Sequence, residues 1–225
     1  NKEQVDQLNT AVRQILGGFT ETIEVYVSKN GSDAVGDGSE TKPFKTIQVA
    51  VNSIPVITTG GVVIRIENGT YLEDIAIRNL SFVSFNIQPV DNVDTIDPSK
   101  SDLPVKIRSI SFTACKGYCR VWGIQIIDTV NSPGYGINFE QSGYMAINRC
   151  KFAENTKSIS DYTAVSANGS SKLNLYGNTV LINQNIGFQA LLMGEINLDS
   201  TFSGSGNNVG ALANAGTIRG TVPSG

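Results

Sequence analysis

Short segments in which hydrophobic and polar residues alternate recur at nearly regular intervals through the second half of the chain. The aligned segments start at residues 117, 143, 171, 194 and 216, so the intervals are 26, 28, 23 and 22 residues. Alternation with a period of two is typical of strands. A repeat of about 20–30 residues with two or three strands is typical of a β-solenoid. A β-sandwich gives no reason for a recurring register, so the pattern predicts a solenoid.

The alignment also predicts which side chains face the interior, because successive side chains of a strand point to opposite sides. Three inward columns are predicted: Val121, Ile147, Leu175 and Leu198; Cys119, Met145, Leu173 and Ile196; Ile126, Phe152, Val180 and Phe202. Two outward columns are predicted: Arg120, Ala146, Asn174 and Asn197; Gln125, Lys151, Thr179 and Thr201. The outward columns are small or polar, which suits solvent and a neighbouring subunit equally well.

The chain is predicted to have two parts, a helical or coiled-coil segment over 1–19 and a β-helix domain over 20–225. Apolar residues at Val5, Leu8, Val12 and Ile15 form a heptad seam. This seam fits either a lone helix lying on the end of the protein or the end of a longer parallel coiled coil. A second, amphipathic helix is predicted over about 43–53, with Pro43 in its first turn.

Three motifs near the start of the β-helix domain resemble a known family. They are Y-V-S-x-x-G-S-D from residue 26, G-D-G-S-x-x-x-P-F-K-T-I-Q-x-A from residue 36, and I-x-x-G-T-Y-x-E-x-I from residue 66. This opening, over about residues 24–77, resembles pectate-lyase-like β-helix proteins, and many bacteriophage tailspikes and tail-fibre proteins share it. The resemblance implies an all-β, single-stranded, right-handed parallel β-helix whose first coil is capped by the helix at 43–53. It says little about chemistry.

Composition and charge narrow the possible functions. Charged residues make up 16% of the chain, the net charge is −3 and no Lys/Arg cluster stands out, so a nucleic-acid partner is not expected. No apolar run reaches the roughly 18 residues of a membrane span, so no membrane insertion is expected. Three cysteines and no histidine predict thiols packed in the core, with no zinc site and no cofactor.

Two carboxylates form the candidate catalytic pair. Asp128 and Glu154 each follow an inward residue of adjacent coils by two positions, which predicts a stacked pair about 4.8 Å apart. Retaining glycosidases hold two carboxyl groups about 5–5.5 Å apart, so the pair suits a general acid and a nucleophile. The alternative is two polar residues that end their strands. A lyase would instead use Arg149 or Lys151 with calcium-bound carboxylates, and no catalytic motif matches.

A glycan-binding site is predicted at one corner of the solenoid. Trp122 and Tyr176 occupy equivalent positions two coils apart, with Asn148 between them and Asp199 beyond. Aromatic faces beside hydrogen-bonding side chains suit sugar rings, which have apolar faces and polar edges. The alternative is that these aromatics pack under a loop or at a subunit contact.

Residues 88–104 are a long excursion without periodicity. Asp91, Asp94 and Asp97 within it invite a calcium site, but their spacing is not that of an EF-hand loop. A solvated loop is the favoured interpretation, and no metal site is predicted.

The sequence therefore favours a phage or prophage tail-associated, tailspike-like receptor-binding module that contacts host cell-surface polysaccharide. Three features support it: the family resemblance, the heptad seam, and a last coil over 216–222 with no amphipathic cap. A homotrimer is expected, with other tail or baseplate proteins as partners, in the virion tail or otherwise secreted. Two alternatives stay open, a polysaccharide depolymerase of the glycosidase or lyase type on the same scaffold, and a purely structural tail shaft.

Overall fold

The structure is a computed structural model that describes Lys2, Gln4, Val5, Gln7, residues 21–198 and residues 202–220, apart from the Tyr176 side chain. The four N-terminal residues described have helical backbone. The rest of the segment predicted as a coiled coil lies outside the described residues, as do Asp199 and Thr201.

Strands dominate the described ranges and follow one another along the chain with few interruptions. They are β1 (Ile23–Val27), β2 (Gly61–Ile66), β3 (Gly69–Arg78), β4 (Ser81–Pro89), β5 (Val105–Thr113), β6 (Lys116–Trp122), β7 (Ile124–Ile126), β8 (Tyr135–Glu140), β9 (Tyr144–Asn148), β10 (Lys151–Phe152), β11 (Thr163–Asn168), β12 (Lys172–Tyr176), β13 (Val180–Ile182), β14 (Ile186–Leu191), β15 (Glu195–Leu198), β16 (Ser203–Ser205), β17 (Val209–Asn214) and β18 (Thr217–Gly220). The helical elements are α1 (Ile47–Asn52) and single 3-10 turns at Val93–Thr95, Thr129–Asn131 and Thr156–Ser158. No helix among these elements is long and apolar enough to cross a bilayer.

The strands form two parallel sheets that wind around one core. The first sheet has the order β1-β2-β4-β6-β9-β12-β15-β18, with one strand from each turn of the chain. In the second sheet, the long strand β5 pairs with β3, and its two halves pair with β7 and β8. Two columns continue from there, β7-β10-β13-β16 and β8-β11-β14-β17. Each turn therefore stacks on the preceding one, and the predicted parallel β-helix is confirmed.

The register confirms two of the predicted inward columns. Val121, Ile147, Leu175 and Leu198 are successive partners, as are Cys119, Met145, Leu173 and Ile196, and all eight are buried. The three cysteines are buried and unbridged, as predicted, and burial raises the pKa of Cys150 to about 12. The register of the first outward column, from Arg120 to Asn197, is confirmed as well, although Ala146 within it is fully buried.

The third inward column is wrong from its third member onward. Ile126 pairs with Phe152, but Val180 pairs with Lys151, so Leu181 continues the inward column and Val180 joins the outward one in place of Thr179. The cause is one additional residue at the corner between β12 and β13. Gly177 and Asn178 accommodate it with φ of 70° and 59°, in the left-handed region that glycine and asparagine tolerate. Ser203 in turn pairs with Val180, so Phe202 does not belong to this column.

The capping helix is shorter than predicted. Pro43 and Phe44 are not its first turn, because Phe44 instead hydrogen-bonds along β1 through its backbone N–H and C=O, to Tyr26 and Ser28. Helix α1 begins at Ile47, after the N-cap Thr46. The carboxylate of Glu73 accepts hydrogen bonds from the first two helical N–H groups at 3.1 and 3.0 Å, which satisfies donors that a helix start leaves unpaired. Glu73 of the G-T-Y-x-E sequence thus contributes to capping the first coil.

A buried polar ladder runs along one corner between the two columns of the second sheet. The Gln184 side chain is fully buried, donates to the carbonyls of Ala153 and Ile182, and accepts from the Thr156 hydroxyl at 2.9 Å. Asn207 continues the ladder by accepting from the Gln184 backbone N–H. Side-chain amides therefore replace the backbone pairing that the strands lose where the chain turns.

Candidate functional site

One register column of the first sheet contains three of the four residues predicted to bind a glycan. Trp122 at the end of β6 is the register partner of Asn148 in β9, which is the partner of Tyr176 in β12. The sequence alignment therefore places these positions in one column correctly. Asp199, the fourth predicted residue, lies outside the described residues. Whether this column binds a glycan stays a prediction.

Trp122 is partly buried between a cation and an apolar cluster. The Arg120 guanidinium lies 4.4 Å from the centre of the indole ring, within the range of a cation–π contact. The same ring packs against Val93, Ile96 and Leu103. The interpretation that a corner aromatic packs under a loop thus describes the arrangement of Trp122.

The apolar cluster belongs to the segment that joins β4 to β5, residues 90–104, here called the strap. Arg149 donates through Nη1 to the Ile96 carbonyl at 2.7 Å, and Gln125 accepts from the Leu103 N–H at 2.8 Å. The sequence predicts a solvated loop here, and Asp97 does pair with Ser99 and Lys100 within the strap. The apolar side chains of the strap nevertheless turn inward and form a small core of their own, separate from the main one.

Two buried polar atoms at this corner have no hydrogen-bond partner among the described residues. They are Nε1 of Trp122, a donor, and Oδ1 of Asn148, an acceptor. Asn148 is 7% exposed, and buried polar atoms in folded proteins are normally paired. The chain passes the corner at Gly123, whose φ is 67°, and a Cβ there would stand 2.7 Å from the Ile96 side chain.

A second group of outward residues was missed by the sequence analysis. Tyr118 and Tyr144 stack with their ring centres 5.4 Å apart, and Tyr144 is 44% exposed. The Tyr144 hydroxyl accepts a hydrogen bond from Asn174. The signal was present in the aligned repeats, because a Gly-Tyr dipeptide opens both the segment at 117 and the segment at 143.

The outward side chains around the tyrosines are linked from coil to coil. Arg120 donates to Asn86 at 3.2 Å, and Asn197 donates to Asn174 at 3.1 Å. Together with Tyr118, Tyr144 and Trp122, these side chains make a continuous strip of rings, amides and one guanidinium, here called the outer strip. Its chemistry suits a ligand with apolar faces and many hydroxyl groups.

The candidate catalytic pair lies elsewhere, after β7 and β10. Asp128 binds Arg108 through Oδ2 at 2.9 Å and Asn131 through Oδ1 at 2.6 Å. The hydrogen bond from Asn131, followed by that from Arg108, lowers the pKa of Asp128. Glu154 is exposed, although the pairing of Ile126 with Phe152 places both carboxylates at equivalent points of their coils. Their catalytic role stays a prediction.

Arg108 also forms an ion pair with Asp74 of β3 at 3.1 Å. This cation therefore joins carboxylates from two other turns of the chain, and a lowered pKa suits a base or nucleophile better than a general acid. Within the described residues, no cluster of three or more carboxylate or thiolate side chains offers a site for a metal ion.

The fold defines this chain as a single-stranded parallel β-helix protein. No family model and no curated protein matches its sequence. A solved structure named rhamnogalacturonan lyase is similar in shape, with a TM-score of 0.42 and 13% sequence identity. The match covers 88% of this chain and 62% of that one. This level of similarity supports no argument about activity.

Proposed function

We propose that this chain is a glycan-binding β-helix module, a phage or prophage tail-associated protein that contacts host cell-surface polysaccharide. The observation that supports the proposal is the outer strip, where aromatic rings lie beside amide groups along several coils. The tail context rests on the resemblance of residues 24–77 to the opening of tailspike proteins.

The outer strip offers the two kinds of contact that a sugar needs. Tyr144 presents an exposed aromatic ring to the apolar face of a pyranose, and the amides of Asn86, Asn174 and Asn197 can exchange hydrogen bonds with its hydroxyl groups. The coils repeat along the solenoid axis, so equivalent contacts recur along it. A linear polysaccharide lying along the axis would meet several of them at once, which raises its apparent affinity.

Binding is favoured over cleavage because of the surroundings of Asp128. Both of its carboxylate oxygens already accept hydrogen bonds, from Arg108 and from Asn131, so one of these partners would have to move before the carboxylate could attack a sugar. Glu154, the proposed acid, is exposed, whereas the general acid of a glycosidase normally lies in a buried, apolar pocket. A depolymerase activity would therefore have to be established by a cleavage assay.

Truncating the exposed tyrosine is expected to weaken glycan binding. Tyr144→Ala removes the most exposed ring of the outer strip, and we expect at least a tenfold loss of affinity, about 1.4 kcal/mol. Binding is measured on an array of bacterial capsular, O-antigen and cell-wall polysaccharides. Tyr135→Ala, which truncates the same side chain on the second sheet, is the matched control and should bind like the wild type.

Two outcomes would count against this proposal. One is equal binding by the wild type, Tyr144→Ala and Tyr135→Ala to a polysaccharide that the wild type retains. The other is release of reducing ends or unsaturated sugars from that polysaccharide, lost in Asp128→Asn with the fold intact, which would establish the enzyme instead.

We also propose that the chain acts as a homotrimer joined to other tail proteins, with residues 1–19 bundling the three chains. The support is the heptad seam of Val5, Leu8, Val12 and Ile15. Light scattering on the intact chain should give three times the monomer mass, and Leu8→Asn with Ile15→Asn should lower the temperature at which the oligomer dissociates. A monomer at every concentration tested would rule out the trimer.

A further inference from the structure

The strap and the surface beneath it carry opposite charge. The strap, residues 90–104, contains four aspartates and one lysine, which leaves it with a net charge of −3. Arg149 and Lys151 bond to it from β9–β10, Lys106 from β5, and Arg120 lies over the Trp122 ring that the strap covers. The acidic strap thus lies on a basic surface formed by Lys106, Arg120, Arg149 and Lys151, here called the floor.

Oxygen atoms of the strap accept hydrogen bonds from the side chains of this floor and from Gln125 beside it. The Asp102 carboxylate accepts from Lys106 at 2.7 Å and from the Gln125 amide at 3.1 Å, and lies 3.7 Å from the Lys151 ammonium. Lys151 also donates to the Ser101 carbonyl, and Arg149 to the Ile96 carbonyl. A carboxylate and two carbonyl oxygens therefore satisfy three cations and one amide.

The strap is held by contacts of limited strength. Asp102 is 62% exposed at its side chain, and exposed ion pairs are weak because water and salt screen them. Val93, Ile96 and Leu103 of the strap pack with Trp122 in a small cluster that lies apart from the main core. Segments with few buried apolar contacts open locally at low free-energy cost.

The corner beside the strap holds two buried polar atoms. Trp122 Nε1 and Asn148 Oδ1 are buried without a hydrogen-bond partner among the described residues, and they belong to register partners on adjacent coils. Of the two, Nε1 belongs to the Trp122 ring that packs against the apolar residues of the strap, and a ligand hydroxyl group can accept a hydrogen bond from it.

We propose that the strap is a displaceable, self-blocking segment over a cationic–aromatic subsite, and that the ligand that displaces it is an anionic glycan. Carboxylates of the ligand replace Asp102 and the strap carbonyls on Arg149, Lys151 and Lys106. Its sugar ring takes the place of Ile96 against Trp122, and one of its hydroxyl groups accepts a hydrogen bond from Trp122 Nε1. This inference rests on the proposed glycan-binding function and names the charge of the ligand and the control of its access.

Strap opening can be measured without any glycan, because Trp122 is the single tryptophan of the chain. Its fluorescence is quenched by acrylamide, which is neutral, and by iodide, which is an anion, at constant ionic strength. Asp102→Asn weakens the ionic hold and Ile96→Ser weakens the apolar seal. Both variants should raise the quenching constants over the wild type, and the rise should be larger for iodide because the uncovered floor is cationic.

Asp97→Asn is the matched control. It removes the same charge from the same strap, but Asp97 pairs with Lys100 and Ser99 rather than with the floor, so quenching should stay at the wild-type level. Unchanged quenching in both Asp102→Asn and Ile96→Ser, with native melting temperatures, would overturn the displaceable strap. A rise with acrylamide but no larger rise with iodide would overturn the anionic ligand.

Binding measurements test whether the strap controls access of the glycan. Alginate oligosaccharides serve as the anionic probe and maltoheptaose as the neutral one. If the strap is closed in about 90% of wild-type molecules, opening it raises the apparent affinity for the anionic probe about tenfold. Equal affinity of the wild type and the opened variants for alginate would contradict control by the strap. The proposed function can fail while the strap proposal holds. This would be the result if neither the wild type nor the opened variants bound any polysaccharide on the array, while quenching still showed that the strap opens.

Discussion

Replacing Phe112 with alanine is expected to lower the free energy of unfolding by about 3–5 kcal/mol, the usual cost of a large-to-small aromatic change in a core. Phe112 is fully buried and lies in an interior stack of rings. Its ring centre is 6.0 Å from that of Phe85 and 5.2 Å from that of Phe139. The residues of this stack come from three different strands, so the cavity would weaken contacts between turns as well as within one.

The measurement is urea denaturation followed by circular dichroism, with Tyr144→Ala as the control. Tyr144 also stacks on a ring of the neighbouring coil, but on the solvent side, so its truncation should cost about 1 kcal/mol or less. Similar losses for the two variants would mean that the inward and outward sides of the solenoid have been assigned wrongly.

The second large effect is expected at the polar ladder. Gln184→Ala removes an amide that donates to the carbonyls of Ala153 and Ile182 and accepts from Thr156. A buried group left without its partner costs about 1–3 kcal/mol. With several such groups at one fully buried position, the loss should be about 3 kcal/mol or more.

Gln189→Ala provides the comparison for this ladder. Gln189 is a partly exposed glutamine of β14 that accepts one hydrogen bond, from the Thr163 hydroxyl, so its truncation should cost about 1 kcal/mol. If thermal melting shows Gln184→Ala to be as stable as Gln189→Ala, the ladder contributes little and side-chain packing alone holds that corner.

Most of the fold could be predicted from the repeats, and the prediction failed at the corners. Pairing within the first sheet follows from alternation, because a shift of one residue would expose every inward side chain. An additional residue at a corner between strands exposes no inward side chain of the preceding strand. The hydrophobic pattern therefore did not indicate the additional residue around Gly177 and Asn178, which moves Val180 to the outward side. The capping helix was predicted too long for a different reason: Phe44, Ile47 and Val51 have helical spacing, but the Phe44 backbone pairs with β1 and the helix begins only at Ile47.

The winding of this chain could be predicted from its sequence, including the pairing of the first sheet, most of the core side chains, and the shared column of Trp122, Asn148 and Tyr176. These features follow from local alternation repeated along the chain. In contrast, the packing of the strap on Trp122 and the ion pair of Arg108 with Asp128 are seen only in the folded chain. Such contacts join one irregular segment, or one long side chain, to a particular partner. No periodicity records that choice, because it depends on the shape and charge of surfaces that exist only after the turns have stacked.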